Sequence, residues 1–66
     1  MIIKIDTDSS AFHNEDYSYE LNKELFATEM SRIFNRIVRD LKNGYKCKTI
    51  LDINGNEIGE WNKEEE

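Results

Sequence analysis

The sequence predicts a small α+β domain of order β-α-β-β, with one long helix packed on one face of a three-stranded, mainly antiparallel sheet. Three observations lead to this prediction: one segment has helical periodicity, a run of β-branched residues precedes it, and two strand-like runs joined by a turn follow it. A single helix covers only one face, so the opposite face and at least one sheet edge are expected to be exposed.

The helix is predicted over Tyr19–Asn43, where large apolar residues recur at the helical period. At about 100° of rotation per residue, these side chains fall within roughly 140° of one another and predict the face that covers the sheet. They are Phe26, Met30, Ile33, Phe34, Ile37, Val38 and Leu41. Ser18 or Asp16 is expected to cap the start of the helix, and Asn43-Gly44 to end it with a left-handed residue.

The strands are predicted from β-branched and alternating residues on either side of the helix. The first runs from Met1 to Asp6, the second from Tyr45 to Asp52 and the third from Glu57 to Trp61. We predict the spatial order second, third, first, with the third strand antiparallel to both neighbours. The intervening stretch Thr7–Ser18 has no regular period and is predicted to be a loop held in place by Phe12.

The connection between the last two strands is predicted to be a tight turn with two alternative forms. Either Asn54-Gly55 forms a two-residue type I′ turn, or Gly55 follows a type I turn at Ile53-Asn54. The two forms differ in strand register. The sequence therefore leaves open whether Ile58 or Trp61 faces the helix.

Composition limits the classes of function. The 66 residues suit one small domain, predicted over 1–61, followed by a disordered acidic tail at 62–66. The net charge of −5 disfavours direct binding to nucleic acid or to an anionic membrane. A single cysteine, no secretion signal and no apolar run of membrane-spanning length predict a cytoplasmic protein.

No motif predicts a catalytic or metal site, so the chain is expected to be neither an enzyme nor dependent on a cofactor. The acidic residues of the loop lack the glycine and the distal glutamate of a calcium loop, and we assign them to turns and caps. They are Asp6, Asp8, Glu15 and Asp16. His13 has no partner for catalysis that the sequence identifies, and Cys47 is interpreted as a strand residue rather than a nucleophile.

A second side of the helix predicts a binding surface. Two leucines and three arginines lie within roughly 60° of one another on that side. This basic strip consists of Leu21, Leu25, Arg32, Arg36 and Arg39. Arginine and large apolar side chains are typical interface anchors, so the strip is predicted to bind either a second copy in a homodimer or another protein. Alternatively, the arginines are solvated or hold a phosphate group.

Three segments resemble a group of small proteins encoded by phages and prophages. They are an N-terminal segment Ile5–Phe12, a helix segment Glu29–Phe34 and a closing hairpin segment Leu51–Gly59. The resemblance carries over no catalytic residue. It implies a phage setting, in which compact acidic proteins often bind and block a host enzyme or a defence component.

Together, these features predict a non-enzymatic phage-type protein in the bacterial host cytoplasm. We expect it to bind and inhibit or modulate a bacterial host protein, for example as an anti-defence protein, and to form a homodimer. The alternative is a homo-oligomeric sponge that binds a phosphorylated or cyclic-nucleotide signalling molecule through the arginines of the strip.

Overall fold

A computed structural model of the chain describes residues 1–64 and confirms the α+β architecture. Strand β1 (Ile2–Ile5) precedes helix α1 (Tyr19–Lys42), which is followed by strands β2 (Cys47–Leu51) and β3 (Glu57–Asn62). The sheet order is β1-β3-β2, and β3 pairs antiparallel with both neighbours, as predicted. No helix in the described part of the chain is long and apolar enough to cross a membrane.

The ends of the helix follow local capping chemistry. Ser18, rather than Asp16, is the N-cap, because its hydroxyl accepts a hydrogen bond from the backbone N–H of Leu21 at 3.3 Å. At the other end, Gly44 has φ +91° and its N–H donates to the carbonyl of Leu41 at 3.1 Å. This left-handed glycine ends the helix as predicted.

The hairpin turn takes the second of the two predicted forms. The N–H of Gly55 donates to the carbonyl of Asp52 at 3.0 Å, which closes a turn centred on Ile53 and Asn54. Gly55 has φ +84°, whereas Asn54 does not have a positive φ as a type I′ turn would require.

A bulge in β3 decides which side chains face the helix. Ile50 pairs with Gly59 while Leu51 pairs with Glu57, so Ile58 is an extra residue in β3. A regular strand would point Ile58 and Trp61 to opposite faces because they are three residues apart. The bulge removes one step of that alternation, and both side chains are buried.

The core lies between the helix, the sheet and the end of the N-terminal loop. It consists of Ala11, Phe12, Ile33, Ile37, Ile50, Ile58 and Trp61. Phe12 is fully buried and forms a tilted ring contact with Phe26, with the centroids 5.5 Å apart. The prediction that Phe12 holds the loop in place is therefore confirmed.

The helix is rotated about its own axis relative to the predicted core face. Its buried residues are Glu29, Ile33, Ile37 and Asp40, whereas Phe34 and Val38, at one edge of the predicted core face, are more than 40% exposed. Phe26 is 41% exposed as well, but it lies at the angle of the buried Ile33 and Ile37 and contacts the ring of Phe12. At about 100° per residue, the centre of the four buried residues lies roughly 70° around the helix from the centre of the predicted core face. The prediction of the core face is thus wrong at the edge that carries Phe34 and Val38, which is exposed. The reason is that charged residues on the other flank bond to β2 and to the hairpin turn.

Strand β3 extends one residue beyond the predicted end of the third strand at Trp61. Asn62 belongs to β3, and the N–H of Lys63 donates to the carbonyl of Lys46 at 2.8 Å. The amino group of Met1 lies 3.8 Å from the carboxylate of Glu64. The rest of the predicted acidic tail, 65–66, lies outside the described residues.

Candidate functional site: the basic strip and its groove

A groove of about 360 Å³ lies between α1 and β2. Arg32 and Arg36 of the basic strip line it, together with Lys48 of β2. Asp40 and Asp52 also line it, and the rest of its lining is mainly apolar and includes the core residues Ile33, Ile37, Ile50 and Trp61. With three cations against two carboxylates, this groove can accept an apolar group that carries a negative charge.

At one end of the groove, a buried carboxylate ties the helix to the hairpin turn. Glu29 is only 4% exposed, and its two oxygens accept hydrogen bonds from Nε of Arg32 and from the N–H of Ile53, the latter at 2.9 Å. Arg32 also donates from Nη2 to the carbonyl of Leu51 at 2.8 Å. The guanidinium of Arg32 is therefore largely occupied by contacts within the chain.

At the other end, two cations share one carboxylate. The buried Asp40 lies 3.5 Å from Nε of Arg36 and 3.9 Å from Nζ of Lys48. The Lys48 ammonium also lies 4.3 Å from the centre of the Tyr45 ring, a cation–π contact. One carboxylate cannot neutralise two cations, so a positive charge remains at this end of the groove.

The other members of the strip differ in their burial. Leu25 is half-buried, whereas Leu21 is 50% exposed. Arg39 is exposed and forms no ion pair with any residue in the described range 1–64. The structure thus divides the strip: Arg32 and Arg36 contact buried acids, while Leu21 and Arg39 project into solvent.

The sequence did not identify Lys48 as a neighbour of the strip. Lys48 lies on β2, and only the folded chain brings β2 next to α1. The sequence also did not reveal the buried roles of Glu29 and Asp40. Their spacing carried a signal: Glu29–Arg32 and Arg36–Asp40 are i,i+3 and i,i+4 pairs, which lie side by side on a helix. That spacing predicts the pairing but not which member is buried.

A hydrogen bond between Ser9 and Asp52 joins the N-terminal loop to the hairpin turn. The Ser9 hydroxyl donates to Oδ2 of Asp52 at 2.7 Å and accepts from the N–H of Ala11 at 3.1 Å. Asp52, 3% exposed, also accepts from the backbone N–H groups of Asn54 and Asn56 and from the Asn56 amide. The Ser9 bond, followed by the Asn56 and Asn54 bonds, holds the pKa of Asp52 below its usual value despite desolvation.

This Ser–Asp pair has the chemistry of a structural link. A carboxylate with a lowered pKa is a weak base, and Asp52 is already occupied by four donors. His13 is exposed and lies beside Tyr19 and Asn22, in a shallow depression that neither Ser9 nor Asp52 lines.

The remaining candidates from the sequence are exposed side chains. Cys47 is a free, exposed thiol on β2. Within the loop, Oδ1 of Asp6 accepts the N–H of Asp8 at 2.9 Å, the turn role predicted for these acids. Among residues 1–64, no group of three or more histidine, cysteine or acidic side chains is arranged to hold a metal ion.

Comparisons with known proteins return no relative. No protein-family model matches the chain, and neither the curated proteins nor the solved structures contain a significant match.

Proposed function

We propose that this chain is a non-enzymatic, phage-type protein that binds and inhibits or modulates a bacterial host protein, such as a component of a defence system. It acts in the host cytoplasm without a cofactor. The binding surface is the basic strip together with the groove beside it. The resemblance to phage proteins supports the setting, and the side chains of the strip support the mode of action.

One observation carries the proposal. Leu21 and Arg39 are exposed and Arg39 forms no ion pair within residues 1–64, yet both lie on the same side of α1 as the cations of the groove. A half-exposed leucine is ordinary by itself. A leucine aligned with three arginines, next to an apolar groove, has the composition of an interface centre.

The surface also indicates the chemistry of its partner. Arg39 and the excess positive charge shared by Arg36 and Lys48 favour an acidic patch on the partner. The apolar walls of the groove favour a neighbouring apolar side chain. The overall negative charge of the chain repels other acidic surfaces, which restricts such a partner to this side of the helix.

The test uses the two members of the strip that are exposed and lie away from the buried acids. The double variant Leu21→Ser/Arg39→Glu removes an apolar anchor and reverses a charge without touching the buried acids. Affinity capture from bacterial lysate, followed by titration of the purified captured protein, should show binding by the wild type and at least a 100-fold weaker Kd for this variant.

The matched control is Ile53→Ser/Lys63→Glu. It makes the same kinds of change at an exposed apolar side chain in the hairpin turn and at an exposed lysine after β3. The control should bind as the wild type does, and both variants should keep the wild-type circular dichroism spectrum. Equal binding by wild type and Leu21→Ser/Arg39→Glu would refute the strip as the partner surface.

A second candidate, the sponge for a phosphorylated or cyclic-nucleotide signalling molecule, is favoured by the charge balance at Asp40. Because Arg36 and Lys48 share that one carboxylate, they can turn toward a phosphate group. Calorimetric titration with cyclic mononucleotides and dinucleotides, together with thermal denaturation, tests it. Heat of binding and a raised Tm that are lost in Lys48→Met would support the sponge, and their absence in the wild type would exclude it for these ligands.

A further inference from the structure

The flank of α1 opposite the basic strip is apolar and only partly covered. It consists of Ala27, Met30, Phe34, Val38 and Leu41. Phe34 is 42% exposed and Val38 48%, while Met30 and Leu41 are partly buried and pack against the core. At 1.5 Å per residue, this apolar flank is about 21 Å long. It lies between Lys23 and Lys42 and contains no charged residue.

The position of the flank follows from the contacts on the other side of the helix. Arg32 and Asp40 contact Leu51 and Lys48 of β2, so the opposite side of α1 is turned toward β1. β1 is an edge strand of the sheet, and Ile3, which pairs with the buried Trp61, lies on the helix-facing side of it. The apolar flank, Ile3 and the free backbone edge of β1 thus lie on one side of the molecule.

We infer that this side binds a second copy of the chain, with apolar flank against apolar flank and the β1 edges adjacent. This takes up the homodimer expected from the sequence, and it assigns the dimer surface to the apolar flank instead of the basic strip.

Charge decides between the two surfaces. In a two-fold interface each surface meets its own copy. A dimer formed through the strip would bury Arg39, which pairs with no acid among residues 1–64. The apolar flank has no charged residue between Ala27 and Leu41 on its side of the helix, so its burial against a second copy desolvates no charge.

The consequence is that two sides of α1 have different roles. The apolar flank forms the dimer, and the basic strip of each copy, on the opposite side of α1, stays free for the acidic partner. The 66-residue chain gains the additional apolar burial that a domain of this size otherwise lacks.

Three variants test this, each placing one aspartate at an aliphatic side chain of similar exposure. They are Val38→Asp on the apolar flank (48% exposed), Leu21→Asp on the basic strip (50%) and Leu51→Asp near β2 (49%). Sedimentation equilibrium should give twice the 7.8 kDa chain mass for the wild type, Leu21→Asp and Leu51→Asp, and a single chain mass for folded Val38→Asp.

A monomeric wild type at high micromolar concentration would overturn the inference, as would a monomeric Leu21→Asp alongside a dimeric Val38→Asp. Host-protein binding separates the two proposals, because Val38→Asp should keep the binding site of the strip while losing the dimer.

A crosslinking experiment covers the case in which Val38→Asp does not fold. In a Cys47→Ser background, a cysteine at position 34 or 38 should be crosslinked between copies by a short bismaleimide, whereas a cysteine at 21 should not. Crosslinking only at 21, or at none of the three positions, would overturn the inference.

Discussion

Replacing Arg32 tests whether the helix is held to the hairpin by its charged residues. In Arg32→Met the aliphatic stem remains, but the buried Glu29 carboxylate loses its cation and the Leu51 carbonyl loses its donor. Both lost hydrogen bonds are donated by the charged guanidinium, and a hydrogen bond to a charged group contributes about 1.5–3 kcal/mol. Because the Arg32 side chain is 39% exposed, we reduce their sum for solvent screening to about 2 kcal/mol.

That loss is large for this chain. At roughly 0.05–0.15 kcal/mol per residue, a domain of this size has a free energy of unfolding of about 3–10 kcal/mol. A loss of about 2 kcal/mol lowers the Tm of so small a domain by roughly 8–16 °C. Thermal unfolding followed by far-UV circular dichroism measures this directly, and Arg39→Met, which breaks no described ion pair, is the matched control.

The double variant Glu29→Gln/Arg32→Met identifies the physical cause. Glutamine keeps an oxygen for the N–H of Ile53 but carries no charge, so the variant should recover much of the lost Tm. The reasoning fails if Arg32→Met melts within 2–3 °C of the wild type, on the order of the change allowed for an ordinary surface substitution. It also fails if the double variant melts no higher than Arg32→Met.

Three further predictions concern the sheet and the turns. Gly59→Ala should abolish cooperative unfolding or greatly lower the Tm, because the new Cβ would lie 1.9 Å from the carbonyl oxygen of Lys4; unchanged Trp61 fluorescence and melting would contradict this. Gly44→Ala, at φ +91°, meets no atom within 4 Å and should cost about 1–2 kcal/mol in urea unfolding, so a loss above 3 kcal/mol would be inconsistent with backbone strain alone. The lowered pKa of Asp52 contributes stability above its unfolded-state value near 3.8, and that contribution is lost as the pH falls through the folded-state value. The acid-induced fall in Tm below pH 4 should therefore be shallower in Asp52→Asn than in the wild type, and an equally steep fall would exclude this role.

The sequence was sufficient for element order and strand order because these depend on local signals. Ser18, Gly44 and Gly55 each occupy the position that their backbone preferences favour. The bulge at Ile58 was not predictable, because both turn forms fit the residues 53–56. Their difference lies in the long-range bonds that Asp52 forms with Ser9 and that Glu29 forms with Ile53.

The rotation of α1 about its axis was not predictable from the spacing of its apolar residues. Periodicity treats Glu29 and Asp40 as solvent-facing, yet both are buried because the fold brings cations and backbone donors to them. Each such contact moves the buried side of α1 toward β2. The same contacts leave Phe34 and Val38 exposed, so the apolar flank is a consequence of the polar attachment on the opposite side.

Three segments of the chain bond to one another: Ile5–Phe12, Glu29–Phe34 and Leu51–Gly59. Ser9 of the first segment bonds to Asp52 of the third, and Glu29 and Arg32 of the second bond to Ile53 and Leu51. These side chains maintain the fold and have little hydrogen-bonding capacity left for a ligand. Leu21 and Arg39 lie outside all three segments. In the proposed binding mode, these two side chains contact the partner while the three segments hold the helix to the loop and to the hairpin turn.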